Sequence, residues 1–386
     1  MKLDRRHFLA GGAAALACTA LPKFAVAASA PSDTRFLLVL LRGGLDGLHA
    51  LQPLGDPAFA ALRGDFVHQP SQPEALHLNA DFALHGKLGF AAELFAQKQL
   101  LPVVAVAPPY RQRSHFEAQD CVENGSSGSS GNSGWLNRCV AAMPGSNGLA
   151  LAAVMPLAMR GAGDVTTWSP PLAKGLDPIL WQQLQQLYAA DTTLASTFSE
   201  IDPRMEAMAA GKDKTPAFAL PQAMAAAAKF MAAPNGPRIG FVEDTGWDTH
   251  GGQLTVLNRK LAELDAGLQV FHADAAPIWQ KTVVAVVTEF GRTAAINGTG
   301  GTDHGTGGAA FLAGGAVNGG RIAGDWPGLG RAQLNDGRDL LATTDMRAMF
   351  KGVLRDHFAL DASVLARSVF PESIGLSPLS GLLRTS

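Results

Sequence analysis

Five short stretches of this chain combine metal-binding or nucleophilic side chains with neighbouring glycines or arginines: Asp46 in RGGLDG, Ser114 in RQRSHF, Asp248 and His250 in WDTHGG, Glu289 and Arg292 in EFGRT, and Asp303 and His304 in DHGTGG. Carboxylates and imidazoles without thiolates form a mixed oxygen and nitrogen donor set, which suits zinc, manganese or a similar divalent ion. One or two such ions could be held. Two ions a few ångströms apart could activate the Ser114 hydroxyl, a poor nucleophile by itself, and steady a leaving oxygen in phosphoryl transfer. A guanidinium forks onto phosphate or sulfate oxygens, so Arg113 or Arg292 could clamp a small anionic ester.

Each stretch also has a plainer reading. Asp46 could be a turn aspartate, and Asp248 could simply cap the helix that follows it. Ser114 with Glu117 three residues on has the pattern of a helix capping box. Asp303 and His304 could belong to an ordinary polar loop among glycines. Asp248 and His250 are the sharpest pair, because residues two apart in an extended loop can face one ion together. Glu289 lies where a buried strand ends, and an ionised carboxylate there requires a partner, either a cation or Arg292.

The elements that must position these residues are legible as apolar runs. Residues 34–41 (TRFLLVLL), 101–107 (LPVVAVA), 238–243 (RIGFVE) and 281–289 (KTVVAVVTE) read as buried strands. Between the last two, Leu254, Leu257, Leu261, Leu264, Leu268 and Phe271 recur three and four apart, as an amphipathic helix requires. The alternation predicts an α/β fold with a largely parallel sheet, and the candidate residues follow the strands where ligand sites of such sheets lie. Residues 125–134 (GSSGSSGNSG) read as a surface loop, 156–178 as irregular, and 179–201 and 221–233 as helices of an insertion spanning about 179–233.

The first 27 residues have the layout of a signal peptide: Arg5 and Arg6, an apolar stretch interrupted by Gly11 and Gly12, then Ala25, Val26 and Ala27. The twin arginine followed by Phe8 and Leu9 predicts export by the twin-arginine machinery to the periplasm or beyond, as one domain over residues 28–386. Without the signal, 27 basic residues face 32 acidic ones, with no basic stripe, so nucleic acid is not an expected partner. No later segment is apolar for long enough to suggest a membrane span. Cys121 and Cys139 remain, either bridged across the Gly/Ser loop or as a free buried pair.

The segments RGGLDGLHALQP, RSHFEAQDCVENG, GWDTHGGQ, TEFGRT and GTDHGTGGAAFLAGG, in this order, resemble the DUF1501 family of twin-arginine-exported bacterial proteins over nearly the whole mature chain. That family is similar to the alkaline phosphatase and sulfatase superfamily, which implies a three-layer α/β/α sandwich with a bimetallic site. By this resemblance Asp46 matches a metal aspartate after the first strand, and Ser114 takes the place of the nucleophile. Asp248, His250 and His304 match the ligands of one ion, although the superfamily spaces the first two wider. Glu289 stands where an Asp-His pair begins, but Phe290 follows it, which removes a ligand from the second ion; Asp303 or His115 could substitute. The expectation is an exported metal-dependent hydrolase of phosphate or sulfate esters, attacking through Ser114 or a metal-activated water. The alternatives are a binding or assembly protein that keeps the fold and one ion, and a metal-free serine hydrolase, which the lack of a G-x-S-x-G elbow around Ser114 disfavours.

Overall fold

The computed structural model describes residues 33–67, 69, 72–170 and 219–384. The expected signal peptide lies outside the described residues, as does most of the expected helical insertion. Strand β1 (Arg35–Leu41) is followed by the short strands β2 (Leu51–Gln52), β3 (Leu76–His77) and β4 (Ala83–Leu84), which form a small antiparallel sheet of their own. Then come β5 (Leu100–Ala107), β6 (Gly148–Leu151), β7 (Val165–Trp168), β8 (Ile239–Asp244), β9 (Thr282–Val287), β10 (Gly308–Ala313) and β11 (Thr344–Asp345). These join β1 in one sheet of order β11-β5-β10-β9-β1-β8-β6-β7. β1 lies at its middle, parallel to both neighbours, with Val39 opposite Val242 on β8 and Val286 on β9. β10 alone runs against its neighbours.

Successive side chains of a strand point to opposite faces, so a strand buried on both sides must be apolar throughout. In β1, Phe36, Leu38 and Leu40 enter one core, and Leu37, Val39 and Leu41 enter the other. The first core is covered by α4 (His115–Asn124), α5 (Trp135–Ala141) and α8 (Met346–Phe358), through residues such as Val122, Trp135 and Phe350. The second is covered by α3 (Gly89–Ala96), α6 (Leu220–Ala232) and α7 (Gln253–Asp274), the last placing Leu257, Leu261, Leu264, Leu268 and Phe271 inward. Of two shorter helices, α1 (Gly47–Ala50) lies between β1 and β2 in sequence, and α2 (Phe59–Val67) between β2 and β3. The architecture is a three-layer α/β/α sandwich.

The four apolar runs read as strands are β1, β5, β8 and β9, and the leucine periodicity is α7. Helix α6, the described end of the expected insertion, is an integral part of the second core, packed on α7 and β8. The stretch read as irregular contains β7, a four-residue strand at the sheet edge whose side chains are half-buried or exposed, so its burial left no apolar pattern to find. Cys121 and Cys139 are buried and free. Among the described residues no helix is long and apolar enough to cross a membrane.

Candidate metal centre

The carboxyl ends of β1, β8 and β9 feed the loops that carry the polar stretches. Gly43, in the turn after β1, has φ of +122°, and a Cβ there would lie 2.4 Å from the amide nitrogen of Asp248. Only glycine fits that approach, which brings the loop after β8 against the turn after β1. Gly291 is constrained in the same way: a Cβ would meet the carbonyl oxygen of Gly307 at 1.8 Å. The loop after β9 is thereby zipped to the loop before β10, with the Gly291 amide donating to Thr306 and an isolated bridge pairing Arg292 with His304.

Four side chains meet above this junction. His304 Nε2 lies 3.0 Å from the Nε2 of both His115 and His250. Asp248 Oδ1 is 3.0 Å from His250 Nε2 and 3.2 Å from His304 Nε2, and its Oδ2 is 3.3 Å from His115 Nε2. His115, Asp248 and His304 offer ligand atoms that all fall within 4.8 Å of one another, and His250 closes on the outer side through His304 and Asp248.

The other nitrogen of each imidazole is already committed. His115 Nδ1 faces Glu289 Oε1 at 2.8 Å, His250 Nδ1 faces Asp303 Oδ1 at 3.1 Å, and His304 Nδ1 faces the Arg113 carbonyl oxygen at 3.0 Å. All three partners are pure acceptors, so each Nδ1 carries the proton and, in the neutral ring, each Nε2 presents a bare lone pair. Three lone pairs and a carboxylate thus converge, an arrangement that repels itself unless a cation lies among them. Bonds of about 2.0–2.1 Å to a tetrahedral zinc put neighbouring ligand atoms about 3.3 Å apart, close to the 3.0–3.3 Å found here. Imidazoles oriented by carboxylates or carbonyls through the remote nitrogen are the usual support of such a centre. The donor set fits a divalent ion.

The surrounding groups shift the protonation of the donors and of their partners in different directions. Burial resists ionisation of Asp248, but the Arg292 guanidinium, 2.6 Å away, outweighs it and holds the carboxyl below its usual range. Glu289 is fully buried, yet hydrogen bonds from His115, Gln119 and the Gly43 amide keep it ionised. Its hydrogen bond raises the His115 pKa, whereas burial lowers that of His304. Hydrogen bonds from Asn297 and His250 lower that of the exposed Asp303.

The structure therefore gathers Asp248, His250 and His304 at one point, with His115 as a further donor, and sets Glu289 and Asp303 behind the imidazoles. It does not bring Asp46 there. Asp46 is completely buried, with its oxygens 2.6 and 3.0 Å from the Arg63 guanidinium and 2.6 Å from Gln253 Nε2. Arg292 is spent inside the protein on Asp248 and Thr302 rather than extended as a clamp. Arg113 is likewise paired with Asp339 and Asp336, and its backbone at φ 63° aims its carbonyl at His304. Ser114 is the N-terminal flanking residue of α4, but its side chain caps no amide, so the capping box is not formed; Glu117 instead accepts from the Tyr110 hydroxyl.

Phe290, which stands where the resemblance calls for a histidine, packs its ring 4.8 Å from the rings of both His115 and His304. Sequence reasoning gave His115 only a substitute's role, since it adjoins the more conspicuous Ser114. Arg63, Gln119 and Asp339 carried no signal at all, each lying in a stretch of unremarkable composition.

Several solved structures are similar to this chain at low identity. A crystal structure of Ps i-CgsB in complex with k-i-k-neocarrahexaose aligns at 9% identity and a TM-score of 0.38, over 73% of this chain and 65% of that one. A TAB5 alkaline phosphatase mutant with Mg bound in the M3 site aligns at 12% identity and a TM-score of 0.36, over 77% and 94%. Inactive murine ectonucleotide pyrophosphatase/phosphodiesterase 5 in complex with AMP aligns at 10% and 0.29, over 67% and 57%. The chain thus spans 65% of the length of the Ps i-CgsB chain it matches. No curated protein matches the sequence. Residues 180–369, the stretch that holds Asp248, His250, Glu289, Asp303 and His304, match the family model described as "Protein of unknown function (DUF1501)".

Proposed function

We propose that this protein is an exported, metal-dependent hydrolase of phosphate or sulfate esters built around a single ion. The observation that carries the reading is the convergence of the bare Nε2 atoms of His115, His250 and His304 on the Asp248 carboxylate. A divalent ion there, zinc being best suited to three imidazoles and one carboxylate, would supply a Lewis acid that polarises an ester oxygen and acidifies a water. The protein's own residues hold the site for it. Glu289, Asp303 and the Arg113 carbonyl keep each lone pair turned inward, and Arg292 keeps Asp248 ionised. Phe290 packs behind the rings, while Asp248 and His250 remain open enough to solvent for a small anionic ester to reach them. Ser114, directly before His115 and free of capping duty, is the candidate nucleophile, with water the other.

One ion is favoured over two because the remaining carboxylates are engaged: Asp46 by Arg63 and Gln253, and Glu289 by His115, Gln119, Thr288 and the Gly43 amide. A binding or assembly role with one ion is the second reading, favoured by the pairing of Arg113 and Arg292 with internal carboxylates. The full-length exported chain, loaded with zinc or treated with chelator, separates the readings when assayed on p-nitrophenyl phosphate and p-nitrophenyl sulfate. Hydrolysis that needs the ion and falls at least 100-fold in Asp248→Ala supports the hydrolase, and Ser114→Ala then distinguishes serine from water attack. A loaded protein that turns over neither ester supports the binding reading. Export is tested separately, since replacing Arg5 and Arg6 by lysine should retain the precursor in the cytoplasm.

A further inference from the structure

We propose that Arg63 is a positioning residue of the metal centre: a built-in cation that ties the turn after β1 to the two loops that carry Asp248, His250 and His304. This rests on the reading of His115, Asp248, His250 and His304 as a metal centre. Arg63 lies on α2, and its side chain is almost wholly buried. Four hydrogen bonds leave its guanidinium. Two go to Asp46, in the turn after β1, at 2.6 and 3.0 Å, and two go to the carbonyl oxygens of Ala294 and Thr293, in the loop after β9, at 2.6 and 2.8 Å.

From there, two routes reach the ligands. Asp46 Oδ2 accepts from Gln253 Nε2, and Gln253 Oε1 accepts from the hydroxyls of Thr249 and Thr302. Thr249 stands between Asp248 and His250, and Thr302 holds Arg292, which grips Asp248 at 2.6 Å. By the second route, Thr293 pairs with the Asp303 backbone through its amide and its hydroxyl, fixing the residue next to His304. A planar, permanently charged fork meets this geometry; a lysine ammonium offers the charge but not the parallel pair of donors. The buried Asp46 carboxylate has its counter-cation in Arg63, so it does not call for a second metal ion.

The test uses cobalt(II) as the probe, because its visible absorption reports ligand geometry independently of any turnover. Wild type, Arg63→Lys, Arg63→Ala and Gln253→Met are titrated as full-length chains, with near-ultraviolet circular dichroism as the check of fold. Wild type is expected to bind one cobalt with a tetrahedral spectrum. Arg63→Lys and Arg63→Ala should bind it roughly 10–100-fold more weakly, the effect typical of losing support behind a ligand, with an altered spectrum. Millimolar guanidinium should restore affinity and spectrum to Arg63→Ala. Gln253→Met leaves the Arg63–Asp46 pair intact and cuts the route to Thr249 and Thr302, so it should move the spectrum the same way even where Arg63→Ala does not fold. A folded Arg63→Ala or Gln253→Met with the wild-type affinity and spectrum would overturn the positioning role. A wild type that binds no cobalt would overturn the metal centre itself.

Discussion

Glu289 Oε1 sits 2.8 Å from His115 Nδ1, beside the candidate metal centre, with no exposure to solvent. The carboxylate fixes which imidazole nitrogen bears the proton and raises the basicity of the other. Glu289→Gln keeps the shape and an accepting oxygen but loses the charge. The expected result is a folded protein whose zinc affinity falls by about 10–100-fold, measured by competition with a chromogenic chelator. Unchanged affinity would show that His115 does not depend on this pair.

Acid should destabilise the fold through three buried imidazoles that lie outside the ligand set. Burial pushes His49 down to about 3, and His85 and His357 down to about 4. The unfolded chain takes up these protons near pH 6.5 and the folded chain only well below it, so the unfolded state binds more protons in between. The stability these groups contribute is full above about pH 6.5 and is lost as the pH falls toward 4, at up to about 1.4 kcal/mol per group for each pH unit. Urea unfolding between pH 7 and pH 4.5 checks this. His357→Gln, which removes one of the three, should flatten the slope by about a third.

The thiols give a separate check on the core. Burial raises the Cys121 thiol to about 11, and Cys139, more deeply buried, is pushed up further. Neither should react with a thiol reagent at pH 8 in the folded protein, and both should react in denaturant. Only one or no thiol in the denatured chain would contradict the free, buried pair.

The fold was far easier to read from the sequence than the site. Strands β1, β5, β8 and β9 are buried on both faces, so each left an unbroken apolar run, and α7 left its leucines at helical spacing. Strand β7, partly exposed at an edge, left no such mark. Within the site, the type and spacing of Asp248, His250 and His304 announced a donor set, but a carboxylate that ligates and one that orients a histidine look alike in sequence. Glu289 and Asp303 could not be told from ligands until their oxygens were placed on Nδ1 atoms. Asp46 could not be told from a ligand because its partner, Arg63, lies 17 residues further along on a different element.

The metal content of the purified, exported protein tests the central claim most directly, by elemental analysis of wild type beside Asp248→Ala and His304→Ala. One equivalent of zinc or a similar divalent ion in wild type, and little or none in either variant, is the expected result. No stoichiometric metal in wild type after loading, or the same content in both variants, would contradict it.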